Sequence, residues 1–153
     1  MSDEITNAVT DITEEDRYPA AQLTMSDDID SDLEMLVNIV NASSGASIGI
    51  TLNVNGSLIT GYLISGKEYY DYLAAELGKQ SENAFAMALS DGMNRISEVY
   101  GDNNRLAEMR TAFIHLKNAR QVMGKEFIPN NGAYWRVKLC DVSGYTLGAI
   151  AIG

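Results

Sequence analysis

A chain of 153 residues, 46% of them hydrophobic, is long enough to bury a core without disulfides or metals. Its single cysteine, Cys140, excludes an intrachain disulfide, and its longest apolar stretches fall short of the roughly 20 residues of a membrane span. The formal net charge of −10 disfavours nucleic acid as a partner. That charge is concentrated at one end, because residues 1–29 hold eight acids against one base, Arg17, while Asp30 onward is nearly balanced.

In chain order, residues 1–29 are rich in Asp, Glu, Ser and Thr without sustained periodicity, and read as a disordered acidic tail. Residues 30–153 then read as a single domain. Ser31 and Glu34 form a capping box that opens a helix carrying Leu33, Leu36, Val37 and Val40 on one face, ended by Asn41–Gly45. Next comes ITLNVNGSLITGYLI at Ile50–Ile64, which joins period-two alternation to an Asn55-Gly56 turn and predicts a β-hairpin. Gly61 within the return strand marks a sharp bend. A second capping box, Ser65 and Glu68, starts a helix with Tyr69, Tyr72, Leu73 and Leu77 as its apolar face. From Ser81 a third helical run places Phe85, Ala88, Leu89, Met93, Ile96 and Val99 at steps of three and four, stopping in a turn at Gly101–Asn104.

Three more strands are expected, at about Ala112–Val122, Ala133–Cys140 and Tyr145–Ile152. Gly124–Gly132 between the first two reads as an exposed loop, and Asp141–Gly144 between the last two as a tight hairpin loop. Trp135, Val137 and Leu139 alternate with Arg136 and Lys138, so one side of that strand is buried and the other wet.

The run from Ile50 through Gly56 and Gly61 to Leu63 resembles the first motif of Sm-like proteins, whose bent five-stranded barrels assemble into rings. With KEYYDYL (Lys67–Leu73), FIHLKN (Phe113–Asn118), YWRVKL (Tyr134–Leu139) and SGYTLGAI (Ser143–Ile150), the chain is similar to gas-vesicle accessory protein U over most of Ser31 to Ile150. The resemblance implies an α+β fold, mostly a β Sm-like or SH3-like five-stranded bent barrel, with an N-terminal helix across its open end. A helical insertion at about 65–110 would separate strands 2 and 3, a departure from ordinary Sm-like barrels. It further implies a non-catalytic protein that assists assembly, maturation or clustering of gas vesicles, and the lone Cys140 with no N-terminal apolar run of signal length favours a cytoplasmic location, in association with gas vesicles. Its partners would be the vesicle shell, other accessory proteins and further copies of itself, forming a homo-oligomer. Self-association is expected through the fourth and fifth strands, at Tyr134, Arg136, Lys138, Tyr145 and Leu147, and partner contact through Tyr69, Tyr70 and Tyr72.

Residues that carry chemistry are sparse. His115 alternates with Phe113 and Lys117 and is expected on the less buried face of its strand, in a structural rather than catalytic role. Cys140 reads as an inert core or edge residue. Neither phosphate-cradling glycine loops nor metal-ligand spacings occur, so no cofactor or metal is expected. An RNA-binding Sm-like module is the main alternative, but Val142-Ser143-Gly144 puts serine where that module carries a base. A small-molecule site beneath the helical insertion is a third reading, without a motif to support it.

Overall fold

The structure is a computed structural model that describes residues 28–151; the acidic segment at 1–27, expected to be disordered, lies outside the described residues. Helix α1 spans Ser31–Ala42, and its N-cap is Asp30 rather than the expected Ser31. The Asp30 carboxylate accepts from the backbone N–H of Asp32 at 2.9 Å and of Leu33 at 3.4 Å, which also places negative charge at the positive end of the helix. Strands β1 (Ile48–Val54) and β2 (Ser57–Ile64) form the expected hairpin, with Asn55 and Gly56 at φ 51° and 87°. Ser65 caps α2 (Gly66–Gly78) by accepting from the N–H of Glu68 at 3.1 Å. Asn83 caps α3 (Ala84–Tyr100), and Asp102 caps a short α4 (Asn103–Glu108) where only a turn was expected.

The last three strands differ from the sequence reading in their limits. Strand β3 covers Phe113–Met123, and β4 covers Glu126–Lys138, so most of the stretch read as an exposed loop is strand. The long ribbon tolerates its glycine and asparagines through register shifts around Ala119, where Asn118 adopts φ 49° and Gly132 φ 72°. A 3₁₀ turn at Leu139–Asp141 then leads to β5 (Val142–Leu147). This turn is not a hairpin loop: β5 pairs with β1, and the antiparallel sheet runs β4-β3-β2-β1-β5. Four strand spacings of about 4.8 Å separate the edges of a flat sheet by about 19 Å, beyond the roughly 14 Å that four residues reach. The sheet is therefore curled, with register shifts at Gly61 and beside Val54 accommodating the curvature, and it remains open.

Its two faces are covered by different helices. Leu33, Val37 and Val40 of α1 close the main core over Ile50, Leu52, Ile59, Leu63, Ile114, Leu116 and Val137. The expected stripe on α1 thus seals an ordinary core against one sheet face. On the opposite face, α2 packs against β3 and α3 packs against α2. The C-terminal segment crosses that same face beyond the helices, where the Thr60 hydroxyl accepts from the N–H of Ile150 and the Thr51 hydroxyl donates to the Gly148 carbonyl.

Candidate functional site

Cross-strand partners share a sheet face, so Ile64, His115 and Arg136 form one row across β2, β3 and β4 beneath α2. His115 is 1% exposed, which corrects its expected placement on the less buried face: α2 and α3 cover it. Its ring lies 4.7 Å from that of Tyr69, 5.7 Å from Tyr70 and 5.6 Å from Tyr100. Among the described residues, neither imidazole nitrogen has a hydrogen-bond partner. Burial, assisted by the Arg136 charge, pushes its pKa down to about 3, so the ring is neutral. Burial likewise raises the phenol pKa of Tyr69 and Tyr100. The Arg136 guanidinium sits 3.4 Å from the centre of the Phe113 ring, a cation–π contact at the rim of the cluster. A neutral imidazole packed among three tyrosine rings and 1% exposed is packing material, out of reach of a substrate.

The expected contact residues divide between this layer and the surface. Tyr70 is buried and stacks on Tyr100 at 5.8 Å, while Tyr69 is half-buried against His115. Tyr72, 37% exposed, lies flat on Tyr134 of β4 at 3.7 Å, and this pair is where the cluster reaches solvent. Tyr134, Arg136 and Lys138 stand on the side of β4 that shares a face with His115 and α2, at one edge of the sheet, with Arg136 and Lys138 exposed. Tyr145 and Leu147 stand on β5 at the other edge, opposite Leu52 and Ile50, with the Tyr145 hydroxyl donating to the Asp32 carboxylate. Three strands separate these two groups within one chain.

The sequence reading missed the orientation of the helical pair. On α2 the buried positions are Gly66, Tyr70 and Ala74, and on α3 they are Ala86, Ser90 and Ser97. The helices meet through small residues: the Ser90 hydroxyl donates to the Ala74 carbonyl at 2.8 Å, and the Ser97 hydroxyl donates to the Asp71 carboxylate. Phe85, Leu89 and Ile96, expected to be covered, are instead 72%, 36% and 38% exposed. The small residues at Ala86, Ser90 and Ser97 recur at helical spacing and were a signal for this second face.

Among the described residues, no group of three or more His, Cys, Asp or Glu is placed to hold a metal ion, and no helix is long and apolar enough to cross a membrane. A groove of about 440 Å³ between the end of α1 and the start of α2 is open to solvent and of mixed character, lined by residues such as Asn41, Ala42, Lys67, Asp71 and Tyr100. It is unlike the enclosed apolar cleft of a small-molecule site. A family model described as gas vesicle protein GvpU-like matches residues 30–150. No curated protein and no solved structure matches the chain.

Proposed function

Because this chain belongs to the GvpU-like family of gas vesicle proteins, we propose that it is a non-catalytic accessory protein that assists assembly, maturation or clustering of gas vesicles in the cytoplasm. The family match over residues 30–150 carries this reading. It acts by contacting the shell or other accessory proteins and by self-association, so that weak individual contacts add when several copies engage one surface. A shell subunit must form a continuous apolar wall, a role unsuited to a chain of net charge −10.

The strand order supports an Sm-like mode of self-association. Strands β4 and β5 are the two ends of the open sheet, with rows of backbone groups that no other strand among the described residues pairs. Pairing β4 of one copy with β5 of the next satisfies both rows and repeats head to tail. Leu147, 54% exposed on β5, offers a mild probe. Leu147→Lys is expected to shift the chain toward monomer in light scattering while leaving its thermal melt unchanged, because an edge lysine opposes strand addition. Oligomers that persist unchanged would argue against the edge mode.

Flotation tests the partner class. Intact gas vesicles mixed with the purified protein are spun so that they rise, and the buoyant layer is assayed for protein and for clumping. Co-flotation is the expected outcome. Protein left wholly in the lower phase would remove direct vesicle binding.

A further inference from the structure

The sheet sorts its charge by face. Strands β1, β2 and β5 carry no charged residue, while β3 and β4 hold Lys117, Arg120, Arg136 and Lys138 against Glu126 alone. Register puts all four bases on the face that α2 partly covers and Glu126 on the other, opposite Met123. Lys117 is matched by Glu68 at 2.9 Å, and Arg136 lies on the Phe113 ring. Arg120 has no such partner: its Nε is buried without a hydrogen bond, and no ion pair among the described residues includes it.

A bulge makes room beside it. Thr60 and Tyr62 pair with Arg120 and Lys117, so Asn118 and Ala119 together oppose Gly61, and Asn118 takes φ 49°. Arg120, Asn118, Thr60 and Tyr62 line a pocket of about 270 Å³, with Ala149–Ala151 along one side. A small-molecule pocket is usually larger, roughly 300–1,000 Å³. One carboxylate fits, because a guanidinium binds it through two parallel N–H donors and Nε is the donor left unsatisfied. We propose that this pocket is a carboxylate-binding site and that its occupant is the chain's own acidic segment, through Glu14, Glu15 and Asp16.

Charge and reach identify that occupant. Residues 1–27, outside the described residues, hold seven acids (the eight of 1–29 less Asp28) against Arg17, and Glu14-Glu15-Asp16 is their densest run. Ile12 and Tyr18 flank the run and match a rim on which Tyr62 and Ile150 are each 41% exposed. The run stands at least twelve residues ahead of Asp28, up to about 40 Å of chain, against a radius of gyration of about 14 Å for the folded part. Tethering supplies an effective concentration of order millimolar, so an ion pair too weak to hold a separate peptide is populated. Salt releases it, and with it the apolar rim.

The test uses the full chain and is independent of the vesicle reading. Arg17 is the one tryptic site in residues 1–27, and release of the fragment 1–17 by trypsin follows the undocked population. At low salt, release is expected to be slower than from a free peptide of residues 1–27, and the two rates should converge at about 0.5 M salt. Arg120→Gln is expected to speed release at low salt by at least about threefold. Lys125→Gln, in the turn between β3 and β4, should leave it unchanged. The effect of Arg120→Gln should vanish once Glu14→Gln, Glu15→Gln and Asp16→Asn are present together. Release as fast as from the free peptide would overturn the proposal, even if Arg120→Gln failed to fold. So would equal acceleration by Lys125→Gln, which would mean diffuse attraction, or protection that fades on dilution, which would assign the acids to a second copy.

Discussion

Gly132→Ala is expected to destabilise the fold by at least about 2 kcal/mol, lowering the melting temperature by at least about 4 °C. Gly132 adopts φ 72°, a conformation that costs an alanine energy by itself, and an added Cβ would stand 2.7 Å from the Asn118 Cα and 2.8 Å from its carbonyl carbon. Those are backbone atoms that no rotamer change removes. Gly124→Ala provides the control in the same ribbon. It shares a positive φ, 62°, but a Cβ there meets nothing within 4 Å, so its cost should stay near 1 kcal/mol. Thermal or urea melts of the two variants separate close approach from backbone strain. Equal losses would mean that the β3–β4 ribbon relaxes around the intruding methyl. A shifted ribbon would also carry the free edge of β4 with it, so under the proposed edge pairing Gly132→Ala should weaken association beyond what its loss of stability explains.

His115→Phe is expected to be more stable than the parent chain, by about 1 kcal/mol near pH 7.5, because it removes two buried nitrogens that have no hydrogen-bond partner. The dependence on pH is the sharper readout. With a folded-state pKa near 3 against the ordinary 6.5, the unfolded chain binds a proton over that interval that the folded chain refuses. Stability from this group is therefore complete above about pH 6.5 and falls as the pH drops toward 3, by up to about 1.4 kcal/mol per pH unit. The groups facing the ring agree with that sign: the tyrosines Tyr69 and Tyr70 from α2 and Tyr100 from α3 supply no negative charge, and Arg136 from β4 is a cation. Urea melts of both chains at about pH 7.5 and about pH 5.5 should show the advantage of His115→Phe roughly doubling, since carboxylate titration is common to both and cancels. A constant difference would mean that the histidine finds a proton acceptor in the folded state.

Much of the fold is legible because its signals are local. The Asn55-Gly56 turn needs positive φ at both positions, so alternation on either side specifies the first hairpin and its register. Leu33, Val37 and Val40 lie on one face of α1 whatever they meet, and Val137 falls on the buried side of its strand as the alternation requires, whereas Trp135 on that same side is 36% exposed and the buried Leu139 belongs to the 3₁₀ turn. Less of the candidate site could be read this way. Three tyrosines within four residues announce a cluster, but Tyr70, Tyr69 and Tyr72 differ in burial only because α3 and β4 approach α2 from different sides.

Sequence by itself determined the first hairpin, the three longer helices, the family, the acidic imbalance and the bend at Gly61, each a matter of composition or of neighbouring residues, but not the short α4 or the strand over most of Gly124–Gly132. Tertiary structure decided what lies opposite what. Periodicity places Phe85, Leu89 and Ile96 on one face of α3 and Ala86, Ser90 and Ser97 on another, and hydrophobicity alone favours burying the first set. Close approach of two helices favours the second, because small side chains and the Ser90-to-Ala74 hydrogen bond bring the backbones together. Likewise the tight link between β4 and β5 reads as a hairpin until β1 is seen to pair with β5. Strand pairing and helix-face selection depend on long-range contacts, and a run of neighbouring residues does not encode which distant surface arrives.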